Sequence, residues 1–388
     1  MGETGDKVSN KTMDKWGEVE YAENVFVNIL SRLPVKLLLA CKSVCKHWRQ
    51  VISSQAFIDL QLLWSKKHPV YIVYPFMNLV MELNLIDNGE ITKRLTFPYF
   101  SNLCPLTIVC SVDGLLCLIN HTWKEDSGKI VEDKTDLQIR ICNPATRNAL
   151  LLPKGSPSGE TPSIGVAFGP RTNEYKIFRF FCAKRISHAG HQSRGSRRQC
   201  EVYSSSTGFW SVIGRAPHYP MRSSHSPMGS TNHVFANGML YWFIASDTDD
   251  KIPGLILTVD MEQNFGTIDL PLEVTEHSYL VSLEGRLSLV VVYDEDETVN
   301  IWVLEDENEW ELKCSVNVPF PNNECTEFVG AREQEIFFVT SNYYYIYDLD
   351  RMSWSELNLP SISEKSYPVA FAYTESLLSC GGRVGLEI

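Results

Sequence analysis

This 388-residue chain has eleven cysteines but no C-x-x-C pair among them, and an odd count cannot close into a complete set of disulfides. That excludes a zinc ribbon and a disulfide scaffold, and fits reduced, mostly buried thiols. No apolar run approaches the roughly 18–20 residues of a membrane span, and the first twenty residues are too polar for a signal peptide. The chain is therefore expected to be soluble and intracellular, in the cytoplasm and/or nucleus, with no membrane partner. Basic charge is scarce: the net charge is −12 overall and +1 over residues 1–64, which leaves −13 on the rest and argues against nucleic acid as a general partner. G-x-S-x-G, H-E-x-x-H and G-x-x-x-x-G-K-[ST] are all missing, so no catalytic constellation and no cofactor are expected. Asp247, Asp249 and Asp250, and the run Asp294 to Glu297, lack calcium-loop spacing and read as solvated hairpin turns. Cys45 and His47 sit two apart on a helix and point different ways, so with Cys41 they make no metal site.

What the chain does have, near its start, is more leucine than forty residues can hide. Tyr21 to Leu63, YAENVFVNILSRLPVKLLLACKSVCKHWRQVISSQAFIDLQLL, reads as three short helices. Val25, Ile29, Leu30 and Leu33 fall at i, i+4, i+5 and i+8 on a first helix, which Pro34 stops by removing a backbone donor. Leu38, Leu39, Val44, Cys45 and Trp48 are the apolar positions of a second helix, with Lys36, Lys42, Lys46 and Arg49 making its remaining surface basic. Phe57, Leu60, Leu62 and Leu63 close the unit. So small a unit leaves a face to be completed by another protein. The run ILSRLPVK, then LL, then K-x-VCK-x-W, resembles the F-box, the module that docks a substrate receptor onto the Skp-type adaptor of a cullin–RING ubiquitin ligase. The resemblance implies an adaptor-binding face of Val25, Ile29, Leu33, Pro34, Leu38, Leu39, Val44 and Trp48, with Lys42 and Lys46 at its rim.

After Trp64 the helical spacing vanishes and short β-rich runs take over, among them VYIVYP, TIVCSV, LLCLI, YKIFRFF, MLYWFI, LSLVVVY, VNIWVL and EIFFVT. Many short strands at regular spacing mean a sandwich, barrel or propeller. Internal repetition decides among them. IYDLDRMSWSELNLP, TVDMEQNFGTIDLP, WVLEDENEWELKCSV and VYSSSTGFWSVIG share one form, a strand, a turn, an aromatic and a second strand. Their anchors Trp210, Phe265, Trp310 and Trp354 recur at the spacing of propeller blades. Two weaker copies, 85–98 and 142–153, make six. A second hairpin precedes each, with Gly114, Gly238 and Gly285 at tight turns. The chain enters with an outer half-blade at VYIVYP and ends with an inner half at SYPVAFAYTESLL, so strands from both ends should close the ring.

GLLCL, then NPATR running to a Leu-Pro, then GVAFGP-x4-YK and NGMLYW, look like the F-box-associated domain of plant F-box proteins, a shape related to kelch repeats. The expected fold is thus mainly β with a small N-terminal all-α module: a three-helix F-box followed by a closed six-bladed kelch-like β-propeller. Residues 1–17 are expected to be disordered, 18–64 to form the F-box and 65–388 the propeller. The resemblance implies a non-catalytic receptor that holds a protein substrate for ubiquitylation. The rival reading is a propeller that binds or transforms a small molecule or carbohydrate, with the helices as a brace. The polar stretch Ala183 to Gln199 carries Arg185, Arg194, Arg197 and Arg198 and reads as a solvated loop, a contact for an acidic substrate or a nuclear-import signal.

Overall fold

The computed structural model describes residues 24–75, 81–87, 90–97, 107–126, 129–169, 174–183, 197–221, 233–271, 274–305, 309–320, 326–340, 343–357, 368–381 and 386–387. The segment 1–17 lies outside them. The N-terminal unit has four helices, not three: α1 (24–31), α2 (Val35–Cys41), α3 (Lys46–Ile52) and α4 (Gln55–Ser65). Pro34 separates α1 from α2 as expected. The expected second helix is broken because Cys45 is extended, at φ −158° and ψ 168°, and its sulfur accepts the Trp48 amide at 3.4 Å. Ser54 caps α4 in the same way, accepting from the Phe57 amide at 3.3 Å. A side chain that satisfies an otherwise orphaned first-turn N–H lets the chain restart a helix after two or three residues.

Beyond α4 every regular element among the described residues is a strand. The first sheet holds β1 (Val70–Pro75), β2 (Met81–Asp87) and β3 (Glu90–Phe97); the second holds β4 (Thr107–Val112), β5 (Leu115–Asp126), β6 (Lys129–Asn143) and β7 (Asn148–Leu151). The third runs β8 (Ser163–Gly169), β9 (Glu174–Ala183), β10 (Arg197–Ser204), β11 (Phe209–Arg215), and the fourth β12 (His233–Ala236), β13 (Met239–Ala245), β14 (Pro253–Asp260), β15 (Phe265–Asp269). The fifth is β16 (Ser278–Leu283), β17 (Arg286–Tyr293), β18 (Thr298–Leu304), β19 (Trp310–Asn317), and β20 (Thr326–Arg332), β21 (Glu335–Thr340), β22 (Tyr344–Asp348) and β23 (Ser353–Glu356) follow. Each is an antiparallel meander. From the far end of the chain, β24 (Pro368–Tyr373) pairs with β1, and β25 (Leu386–Glu387) pairs with β7.

The innermost strands touch in a closed circuit, β4 to β8 to β12 to β16 to β20 to β24 and back to β4, which makes the domain a β-propeller. Two expectations are corrected. Among the described residues five four-stranded blades are found rather than the expected six, and the second sheet has five strands because β25 extends its outer edge. The sheet closed by both chain ends is split three to one, β24-β1-β2-β3, rather than hairpin to hairpin, because Thr374 to Cys380 leave the sheet instead of turning back into it.

The repeated tryptophans are explained by a recurring bond. Trp210 Nε1 donates to the Pro153 carbonyl at 2.8 Å, Trp310 Nε1 to Asp269 at 2.8 Å and Trp354 Nε1 to Asn317 at 2.9 Å, each reaching the end of the previous sheet's outer strand. Phe265 has no N–H and packs edge-on to Phe180 instead. The tight turns have the left-handed backbone that the glycines predict: Asp113–Gly114, Asn237–Gly238 and Glu284–Gly285 are positive in φ at both residues.

Candidate docking face

The helices are not a free-standing bundle. Leu30, Val35, Leu38, Ile52 and Phe57 share one buried cluster with Leu377, and Ala145 packs against it. The Val35 amide donates to Glu375 Oε2 at 3.3 Å, Gln61 Nε2 to the Glu375 carbonyl at 3.3 Å, and Lys66 pairs with Asp113 at 2.6 Å. The seat is therefore the stretch Thr374 to Gly381, which leaves the ring after β24.

Three of the motifs noted in the sequence converge on that stretch. Asn143, fully buried, donates through Nδ2 to the carbonyls of Ser376 at 3.0 Å and Leu378 at 2.8 Å, while its Oδ1 accepts from Ala145 N at 3.0 Å. Tyr175 OH donates to the Cys380 carbonyl at 2.5 Å. Gly114 lies against Ser376 and Thr374 so closely that a Cβ would collide with both. Gly165, which opens GVAFGP, gives its space to the Trp242 ring. NPATR and GLLCL are thus the residues that fasten the segment carrying the helices.

With one side of the helices seated, the other is exposed. Val25 is 41%, Ile29 59%, Leu37 50%, Val44 63% and Leu63 62% accessible, and Leu60 and Pro34 are also exposed. Val25 and Ile29 lie one turn apart on α1, and Leu60 and Leu63 one turn apart on α4. Leu33, Leu39 and Trp48 are half-buried against the helical core, and Lys42 and Lys46 stand at intermediate and full exposure. Burial pushes the Lys42 ammonium below its ordinary pKa. One predicted residue is misplaced: Leu38 is fully buried, and Leu37 faces outward in its stead. The break at Cys45 shortens α2 to two turns, whose phase is set by Val35 and Leu38 packing on Leu377 rather than by continuation into Trp48. Leu37, Leu60 and Leu63 are the exposed residues that sequence reasoning did not assign to a face. Their signal was the apolar excess itself.

In each meander the connections from first to second and third to fourth strand share one end, and those from second to third strand and from sheet to sheet share the other. Asp113 and Ala145 belong to the first kind, so the helices cover that end. The connections following Ala183 and Arg215 leave from the opposite end. Arg185 and Arg194 lie outside the described residues. Arg197 and Arg198 are not in a loop: they begin β10, opposite Ala183 and Cys182, and the Arg198 guanidinium lies over the Tyr219 ring at 5.0 Å. The same end carries a feature that the sequence reading missed. β5 and β6 remain paired past their neighbours, from Thr122↔Asp133 to Asp126↔Lys129, as a two-stranded ribbon projecting roughly 17 Å.

No described helix is long and apolar enough to cross a membrane, and no described group of His, Cys, Asp or Glu is placed to hold a metal ion. Cys45 caps α3, and His47 stacks beside Phe26. Asp249 accepts from the Lys251 amide at 2.9 Å within its turn, and Asp294 pairs with His277 at 3.1 Å.

Residues 23–60 match the F-box domain and residues 76–374 match the F-box associated beta propeller domain. The chain is 26% identical over 381 residues to the F-box protein At5g49610 of Arabidopsis thaliana, covering 89% of this chain and 93% of that protein. It is 26% identical to the F-box protein At2g21930 of the same plant, covering 75% and 71%. Among solved structures, apo AztD from Citrobacter koseri aligns with 80% of this chain and 100% of its own at 12% identity and a TM-score of 0.39.

Proposed function

Because the chain belongs to the F-box associated β-propeller family and carries an F-box ahead of that domain, we propose that it is the substrate-recognition subunit of a Skp–cullin–F-box ubiquitin ligase. Residues 18–64 form the adaptor module and 65–388 the receptor. The observation that carries the reading is the exposed apolar set on helices whose opposite side is fastened to the propeller. A Skp-type adaptor covers Val25, Ile29, Pro34, Leu37, Val44 and Leu63, with Leu33, Leu39 and Trp48 supporting them from below and Lys42 and Lys46 at the rim. The chain performs no chemistry. Rigid seating fixes a target at a set distance from the charged conjugating enzyme and raises its effective concentration there.

The test is co-purification with a co-expressed Skp-type adaptor. Burying one unpaired carboxylate in an apolar contact costs several kcal/mol, so Ile29→Asp and Leu37→Asp should each weaken adaptor binding at least about 100-fold. The propeller should keep its unfolding midpoint. Retention of the adaptor by both variants at the parent's level would overturn the reading.

The target is held at the end of the ring opposite the helices. Arg185, Arg194, Arg197 and Arg198 contact an acidic protein surface there, and the β5–β6 ribbon flanks it. Reversing the four arginines to glutamate, or replacing 122–133 by a two-residue turn, should leave adaptor binding intact and release captured targets in a salt-sensitive way. Unchanged capture by both variants would remove this face from the proposal.

A further inference from the structure

Cys110 and Cys117 stand directly opposite each other on β4 and β5, and both point into the core between the second and third sheets. They are 8% and 2% exposed. Opposed residues on antiparallel strands have Cα atoms about 4.5–5.5 Å apart, and a disulfide takes about 4.4–6.8 Å, so directly opposed positions lie within disulfide range. The two thiols influence each other's ionisation, and His233 of β12 acts on Cys110 from the fourth sheet. The imidazole is held in place by Nε2, which accepts the Val166 amide at 3.1 Å. A cavity of about 10 Å³ lies beside the pair, lined in part by Cys110, Cys117, Val166 and Tyr175, enough for one water-sized molecule.

The electrostatics separate the two sulfurs. The interaction with Cys117, with help from His233, lowers the pKa of the Cys110 thiol against its burial, while the same interaction and burial push Cys117 well up. Burial pushes the thiols of Cys142, Cys200 and Cys380 up. Of this pair, Cys110 is the sulfur favoured as thiolate, and Cys117, directly opposite it, has the position to resolve it.

We propose that Cys110 and Cys117 are a modification site, a dithiol that hydrogen peroxide oxidises to a cross-strand disulfide. The Cys110 thiolate attacks one peroxide oxygen; an S–O bond forms, the O–O bond breaks, and the departing oxygen leaves as water with the proton that Cys110 had released. The Cys117 sulfur then displaces the hydroxyl from Cys110. The S–S bond forms, and the hydroxyl departs as a second water with the Cys117 proton. Two thiols lose two electrons and one hydrogen peroxide molecule takes them. The bond would close the hairpin whose Asp113–Gly114 turn holds Lys66 and packs on Ser376, so oxidation acts on the seat of the helices.

The experiment treats the full chain, co-purified with its adaptor, with hydrogen peroxide, then unfolds and alkylates it and reads each cysteine by peptide mass. Alkylation of Cys110 and Cys117 should fall together at least about tenfold, with loss of two hydrogens from their shared peptide and recovery on thiol reduction. Cys117→Ser should leave Cys110 as a sulfenic acid that dimedone traps, and His233→Gln should slow oxidation about threefold or more. The proposal is overturned if both thiols stay alkylatable at peroxide doses that oxidise free cysteine, or if Cys110 pairs with Cys104 instead. It is also overturned if the His233→Gln variant oxidises at the parent's rate. Should the variants fail to fold, the alkylation pattern of the parent decides alone.

Discussion

Truncating Leu377 to alanine should loosen the helices from the propeller. Leu377 is 7% exposed and packs with Leu30, Val35, Leu38, Ile52 and Phe57, so the change removes three carbons from a dry seam between the two modules. At about 0.8 kcal/mol per methylene the transfer loss is ~2.4 kcal/mol. The cavity left behind brings it to about 3 kcal/mol, within the roughly 2–5 found for such truncations. Two outcomes are separable by arithmetic. If helices and ring melt as one unit, the unfolding entropy of 388 residues, at about 2.1 cal/mol/K each, is ~0.8 kcal/mol/K and the midpoint falls about 4 °C. If residues 24–65 melted alone, their unfolding entropy of ~0.09 kcal/mol/K would drop a separate transition by about 30 °C. The hydrogen bonds from Val35 and Gln61 to Glu375, added to the apolar seam, favour the first. Calorimetry of the full chain should show one transition lowered by about 4 °C, and amide exchange should quicken across α1 to α4. An unmoved midpoint together with unchanged exchange in the helices would refute the seat.

The Arg179–Glu201 pair has side chains 4% and 1% exposed, and both also bond the backbone of Ser156. Glu201→Ala, which strands a buried guanidinium, should cost about 3–5 kcal/mol by denaturant unfolding, whereas Arg179→Met with Glu201→Leu should cost much less. Trp310→Phe keeps an aromatic side chain, smaller than the indole, and loses the bond to the Asp269 carbonyl, so a loss of at least about 1 kcal/mol is expected in the same assay. Deleting Ser366 to Ile388 removes β24, the innermost strand of the first sheet, together with the seat at Thr374 to Gly381. Size-exclusion chromatography should find aggregate and no monomer; a soluble truncation that unfolds cooperatively would contradict ring closure through β24.

Part of the docking face was legible early and part was not. Val25 and Ile29 stand where helical period puts them, because α1 is ended by Pro34 and nothing interrupts its phase. Leu38 was misplaced because the sequence shows one apolar run from Leu37 to Trp48, and only the extended Cys45 reveals that two helices with independent phases divide it. The arginines were misread in part for a similar reason. Arg197 and Arg198 look like loop residues among Gly and Ser, but β9 pairs with β10 through Cys182 and Ala183 and draws them into the sheet.

Helical apolar spacing up to Trp64, then alternation of apolar residues, glycine at two-residue turns and tryptophan at a steady interval, determined by themselves that the chain is a small helical unit followed by a propeller; the F-box was added by the resemblance of ILSRLPVK and K-x-VCK-x-W. Those signals are local or repeat, so each copy reinforces the next. The tertiary structure alone decided what long-range contacts control: that Asn143, Tyr175 and Gly114 fasten a segment more than 200 residues away. It decided likewise that the helices sit on one end of the ring while the connections after Ala183 and Arg215 share the other. In a closed meander, which end a connection occupies depends on how many strands precede it in its sheet, and that count is fixed only by which strands pair, β8 to β11 for the connections after Ala183 and Arg215.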